Sequence, residues 1–234
     1  MTMIRFTILG VPVSIHPSLW ITLALLGGGL HISQMGDLLG VALFVVAGFI
    51  CLLAHEMGHA LTGRALGGGH PEVHLAWLGG DCSNMDARLT RTQGIIMTAA
   101  GPLSSLAVGV LGTLLLGLYI GNVPLGGQLA LNFIWGVIPT EALVGYPAMA
   151  IFFFVYVIEI AFWWTVLNLL PVFPLDGGQI MHGLMRSPRL MHTVSLVIAV
   201  ILTLFFLVLG VWLMGILMGA LAYFNFRMRQ QCPY

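Results

Sequence analysis

Lysine is absent from the 234 residues, and charge of either sign is scarce. Asp, Glu, Lys and Arg together make up 7% of the chain, against roughly 25% in an ordinary soluble domain. A chain so poor in charge and 59% apolar has too little polar surface to stay in solution as a globule, so lipid must cover much of it. The formal net charge is +0 and there is no basic stripe, which excludes the electrostatic footprint of a nucleic-acid binder. Cysteine is scarce as well: Cys51, Cys82 and Cys232 are odd in number and far apart, which excludes a disulfide framework. All three read as free thiols, Cys51 within a span. A cleavable secretory leader is not expected, because Arg5 is followed by a short mixed segment and not by an apolar run. With no internal repeat, low-complexity segment or appended soluble domain in view, 1–234 read as a single integral-membrane domain.

What the chain does have is long apolar runs. Crossing roughly 30 Å of hydrocarbon takes about 20 apolar residues in a helix. Candidate runs lie at about 17–30 (short unless its flanks contribute), 38–61, 94–120 and 147–170. A last run covers 192–226. As one helix it would reach roughly 52 Å, too long for one crossing, so it reads as a hairpin turning near Gly210. The fold class expected is therefore an all-α polytopic membrane protein of about six transmembrane helices. The arginines agree with that count. Arg5, then Arg64, Arg88 and Arg91, then Arg186 and Arg189, then Arg227 and Arg229 all fall on one side of a six-span chain. By the positive-inside rule that side is cytoplasmic, both termini included. A five-span chain would strand Arg227 and Arg229 outside. Short β segments accompany the helices. Residues 4–15 alternate around Gly10 and Pro12 and read as an interfacial strand pair. Residues 67–84, with Val73, Leu75 and Trp77 on alternate positions, read as a strand-like loop at the membrane surface. The connection 121–146 is rich in Gly and Pro and lacks basic residues.

The chemistry concentrates at the ends of two spans. The second ends in His55-Glu56-Met57-Gly58-His59. Residues four apart share a helix face, so His55 and His59 can bind one zinc ion while Glu56, beside them, takes a proton from water. Burying two imidazoles and a carboxylate at the end of an apolar helix is costly without a purpose. Catalytic zinc usually takes three protein ligands, and the fourth span ends in Asn168-Leu169-Leu170-Pro171-Val172-Phe173-Pro174-Leu175-Asp176-Gly177-Gly178. Pro171 and Pro174 stop the helix, so the segment after Asn168 is expected to be extended, with a sharp turn at Gly177 and Gly178. Spans two and four run in the same direction, which brings Asp176 to the depth of the two histidines.

An H-E-x-x-H helix followed by an N-x-x-P-x-x-P-x-D-G segment resembles the site-2 protease family of intramembrane zinc metalloproteases. The resemblance implies that His55, His59 and Asp176 ligate one zinc per chain, that Glu56 is the catalytic base, and that Asn168 helps hold the substrate or the oxyanion. Gly101-Pro102-Leu103-Ser104-Ser105 matches a family motif in the third span. That motif often ends in Asn where this chain has Ser105, which weakens a hydrogen-bonding role there. Gly101 and Ser105 are candidate substrate contacts, although small residues also let membrane helices pack closely. The family further suggests that the stretch from Val73 and Leu75 to Leu78 pairs with an unwound substrate, a form of strand addition. The implied activity is hydrolysis of peptide bonds in or near the transmembrane segment of a single-span protein or signal-peptide remnant. The implied location is a multi-pass position in a prokaryotic cell membrane, with the active site near the cytoplasmic side. The PDZ and cystathionine-synthase-type domains that some relatives carry are not expected in these 234 residues.

Other polar residues read as structural. Glu159, near the middle of the fourth span, is expected to be a hydrogen-bonded core acid, and His16 an interfacial anchor. His70, His74, His182 and His192 are expected to face solvent or headgroups. A zinc transporter would spread polar residues across the bilayer, whereas here they cluster at one end. A silent scaffold would not keep Glu56 and all three ligands. A prenyl-protein endopeptidase would more often take its third ligand from a helical Glu.

Overall fold

The computed structural model describes residues 3–77, 79–84, 89–185 and 187–232. Arg88 and Arg186, used above to count spans, and Leu78, at the end of the strand-like stretch, lie outside the described residues. The chain divides into two compact units, Met1–Arg88 with Ala100–Thr165, and Leu89–Ala99 with Val166–Tyr234.

The first unit opens on a hairpin of β1 (Ile4–Ile8) and β2 (Val11–Ile15), paired antiparallel from Ile4↔Ile15 to Ile8↔Val11. Its two-residue turn places Leu9 and Gly10 at φ of 50° and 77°, the left-handed pair that matches the twist of a tight hairpin. The Arg64 guanidinium donates to Leu9 O at 2.8 Å and ties the turn to the end of a long helix. β2 also pairs in parallel with β3 (Pro71–Ala76), Val13 opposite Val73 and Ile15 opposite Leu75. Parallel pairing needs a long crossover, supplied here by α1 (Pro17–Leu26) and α2 (Met35–Ala65). β4 (Gly79–Asn84) closes the sheet antiparallel to β3, in the order β1-β2-β3-β4. One face of the sheet carries Val11, Val13, Ile15, Val73 and Leu75, each 0–2% exposed, packed with Leu19, Leu23, Leu52, Met57 and Ala60 of the two helices.

Two expectations change at this sheet. Val73 and Leu75 are core residues of a strand whose two edges are already occupied by β2 and β4, so β3 has no free backbone for a substrate; beside it, β4 has the open edge. His16 caps α1, accepting from Ser18 N–H at 3.2 Å, while its own N–H donates to Leu75 O at 2.8 Å. It is a joint between sheet and helix.

α3 (Arg91–Tyr119), α4 (Val123–Ile134), a 3-10 turn (Thr140–Leu143) and α5 (Ala148–Asn168) follow. Glycine lets these helices approach closely. A Cβ on Gly58 of α2 would lie 2.3 Å from Ser104 Oγ and 2.5 Å from Ala100 O of α3. Gly109 and Gly112 of α3 face Ala161 and Val157 of α5 in the same way, at 3.2 and 3.1 Å. α4 occupies what reads in sequence as a plain connection. Asn122 caps it, and it buries Gly126, Leu129, Ala130 and Phe133 against Leu116, Ile151, Val155 and Ile158.

The second unit holds the first turns of α3, the turn after α5, α6 (Asp176–Leu184) and the antiparallel pair α7 (Pro188–Val208) and α8 (Trp212–Gln231). The expected hairpin is present: Gly210 turns at φ 74°, and a Cβ on Gly215 of α8 would touch Leu207 of α7 at 2.7 Å. The stretch after Asn168 is turned, not extended. Val172 N–H donates to Leu170 O at 2.7 Å and Leu175 N–H to Val172 O at 2.9 Å. Gly177 and Gly178 lie in the first turn of α6, where they allow contact with the turn. Their Cβ atoms would fall 2.1 Å from Leu169 O and 2.3 Å from Phe173 N.

Among the described residues four helices are long and apolar enough to cross a membrane, α2, α3, α5 and α7. α1 has only 10 residues and α4 only 12.

Candidate metal centre

In the first unit the C-terminal half of α2 carries His55, Glu56 and His59, 2%, 5% and 8% exposed. The i, i+4 spacing stacks the two imidazoles on one face, with His55 Nε2 and His59 Nε2 3.1 Å apart. His55 Nδ1 is 3.0 Å from Ser105 Oγ of α3. A hydrogen bond on one ring nitrogen fixes the ring and leaves the other for a metal. Ser105, wholly buried, therefore orients the His55 ring. Gly101 lies one turn before it. A Cβ there would fall 2.2 Å from His59 Nε2 and 2.9 Å from His55 Nε2. Only a glycine leaves room for the two nitrogens, so its place is against the histidines.

Glu56 is covered by β4. A Cβ on Gly80 would lie 2.4 Å from its Cγ and 2.7 Å from Oε1. The strand's backbone thus passes directly over the carboxylate. Cys82, on the same strand, has its thiol pushed up to about 12 by burial, with the Glu56 and Asp81 charges adding to the effect. It is a protonated thiol at neutral pH, not a competing ligand or nucleophile.

The Trp164 ring stands edge-on to His55, centroids 6.2 Å apart. Sequence reasoning passed over it. The available signal was its place four residues before Asn168, on the same helix face. Glu159 is half-buried on α5.

In the second unit Asn168 ends α5, 9% exposed, and Asp176 opens α6, 6% exposed. The first turn of a helix favours a negative side chain through its free N–H groups and dipole, and Asp176 occupies that position. His192, expected to face solvent, is 4% exposed and hydrogen-bonds Asn225. Two imidazoles belong to the donor set of a catalytic zinc site, and a side chain at position 101 would crowd both Nε2 atoms.

These features have relatives. The model of peptidase family M50 matches residues 43–213, a span that includes the H-E-x-x-H helix and the Asp176 segment, and the chain belongs to that family. A chain of Synechocystis sp. (strain ATCC 27184 / PCC 6803 / Kazusa) named as a zinc metalloprotease is 28% identical over 186 residues, 76% of this chain and 42% of its own. One from Methanocaldococcus jannaschii, also named a zinc metalloprotease, is 24% identical over 227 residues, 94% of this chain and 58% of its own. The chain thus spans about half the length of these curated relatives. Among solved structures, the site-2 protease from Methanocaldococcus jannaschii superposes with a TM-score of 0.52 at 22% identity, covering 98% of this chain and 94% of that one. That likeness is one of fold.

Proposed function

We propose that the chain is an intramembrane zinc endopeptidase of the site-2 type, cutting single-span membrane proteins or signal-peptide remnants in or near their transmembrane segments. The observation that carries this is the pair of buried Nε2 atoms 3.1 Å apart, with Glu56 next to them in sequence and under the β4 backbone. Asp176 is the third ligand to one zinc per chain. Supporting it, His55, His59 and Asp176 are each buried, and the family resemblance assigns the same three.

When bound, the zinc supplies Lewis acidity, polarising the scissile carbonyl and acidifying water. Glu56 accepts the proton of the attacking water and delivers it to the leaving amine nitrogen. Ser105 holds the His55 ring in place. Asn168 presents a side-chain amide to the substrate carbonyl as negative charge develops there. A helix keeps its carbonyls in internal hydrogen bonds, so the substrate must unwind before it is cut. The open edge of β4, beside Glu56, can receive it as an added strand. In the membrane the chain has six spans, with α1 and α8 completing the four long helices, both termini in the cytoplasm and the site toward that side. The arginine distribution supports this orientation.

The test is cleavage of a panel of tagged single-span substrates in detergent by wild type, Glu56→Gln and chelator-treated protein, with zinc measured on the same samples. Loss of cleavage in Glu56→Gln with zinc retained is expected. Cleavage surviving in Glu56→Gln, or no zinc in metal-replete wild type, defeats the proposal.

A further inference from the structure

The helices α7 and α8 are apolar almost throughout, yet three polar side chains of the pair are buried: His192 at 4% exposed, Ser195 at 0% and Asn225 at 0%. Such groups are expensive in an apolar setting unless their hydrogen bonds are made. Here the bonds converge on one residue outside the hairpin. Phe173 N–H donates to Ser195 Oγ at 3.1 Å, and Asn225 Nδ2 donates to Phe173 O at 2.6 Å. Asn225 Nδ2 also reaches Leu221 O at 2.9 Å, while its Oδ1 lies 2.9 Å from His192 Nδ1. Donation by His192 to Oδ1 fixes the amide so that its NH2 faces Phe173. The Phe173 ring is held too, edge-on to His192 at 5.4 Å and stacked on Phe224 at 6.2 Å.

Phe173 needs this grip because of its sequence. It sits in a turn bounded by Pro171 and Pro174, neither of which has an N–H to give. Irregular backbone at membrane depth persists only where protein satisfies it. The path from Phe173 to Asp176 is short and stiff. Pro174 fixes its own φ, Leu175 N–H closes back on Val172 O, and Gly178 packs on Phe173 N with no room for a Cβ. Displacement of the Phe173 backbone must therefore move the start of α6 and the carboxylate on it.

We infer that Ser195, Asn225 and His192 are positioning residues, a clamp from the C-terminal helices that sets Asp176 for metal binding. This rests on the zinc reading given above, and it assigns the last two helices a part in building the site. Partners that orient ligands typically change metal affinity on the order of 10–100-fold when removed.

The test compares the zinc affinity of full-length protein in detergent, by chelator competition, for wild type, Asn225→Ala, Ser195→Ala and Met218→Ala. The cobalt(II) absorption spectrum is recorded on each as a report of ligand geometry. Met218 is wholly buried on α8, so its truncation lowers stability by packing alone. Asn225→Ala is expected to weaken zinc by about tenfold or more and to alter the cobalt spectrum, Ser195→Ala to do the same more mildly, and Met218→Ala to lower thermal stability with both readouts unchanged. Should Asn225→Ala fail to fold, Ser195→Ala decides. Clamp variants with wild-type affinity and spectrum overturn the inference and leave the zinc site standing, as does Met218→Ala weakening zinc equally. Wild type without zinc overturns both.

Discussion

Two glycines test the candidate site atom by atom, because ordinary helix chemistry predicts the opposite sign for one of them. Gly101 lies inside α3, where replacement by Ala normally stabilises a helix by about 0.5–1 kcal/mol. Here the new Cβ would fall 2.2 Å from His59 Nε2. Gly101→Ala is therefore expected to lose zinc at least tenfold while remaining folded, as measured by metal content after dialysis against a weak chelator. Gly80→Ala places its Cβ on the Glu56 side chain instead, at 2.4 Å from Cγ. It is expected to keep zinc and lose turnover, by roughly the 10²–10⁴-fold that a general base contributes. If both variants lost metal equally, β4 would be acting on the ligands and not on the base. Cys82 gives a third reading from the same strand. Its thiol is held near 12 by burial first and by Glu56 and Asp81 second, so between pH 7 and 10 it stays protonated and alkylates slowly. Glu56→Gln removes one raising influence, which lowers that pKa, so modification at pH 9 is expected to run faster than in wild type, followed by mass spectrometry.

At the scale of elements, the α2–α3 contact is the one that sets the histidines. A Cβ on Gly58 would sit 2.3 Å from Ser104 Oγ and 2.5 Å from the Ala100 carbonyl, and backbone cannot swing aside as a side chain can. Gly58→Ala is expected to destabilise the protein by about 1–3 kcal/mol through overpacking, seen as a lower thermal midpoint in detergent. The same face presents His55 to Ser105 at 3.0 Å, so zinc affinity should fall with it. The sheet has a matching division of labour. β3 is paired on both edges at Val73–Leu75, whereas β4 combines an open edge with a backbone lying on Glu56.

For the whole molecule, six crossings are expected. Reporter fusions test this: ends fused at residues 1 and 234 are expected on the cytoplasmic side, and a reporter inserted in the 121–146 connection on the other. A C-terminal reporter opposite to the N-terminal one would rule out six spans and move the site's access side with it. Four helices qualify by length and composition, and the remaining two depend on α1 and α8, neither of which qualifies on its own.

Much of this was legible because it is written in local spacing. The histidines four apart on an apolar helix, the glycine turn of the last hairpin, the strand pair around Gly10 and the helix stop at Asn168 all follow from contacts within a few residues, where backbone geometry fixes who meets whom. The amphipathic α4 was hidden by its own glycines and proline, which read locally as a loop although packing against Leu116 and Ile158 holds it. What only the tertiary structure decided lies between segments far apart in the chain. Sequence spacing could not foresee β2 pairing in parallel with β3, which removed Val73 and Leu75 from any substrate. It could not foresee Ser105 turning to a histidine ring, Gly80 lying on the Glu56 carboxylate, or His192 and Asn225 closing on Phe173. Each of these depends on which helix faces approach and how closely. That is settled by packing across the whole unit, which no periodicity along the chain records.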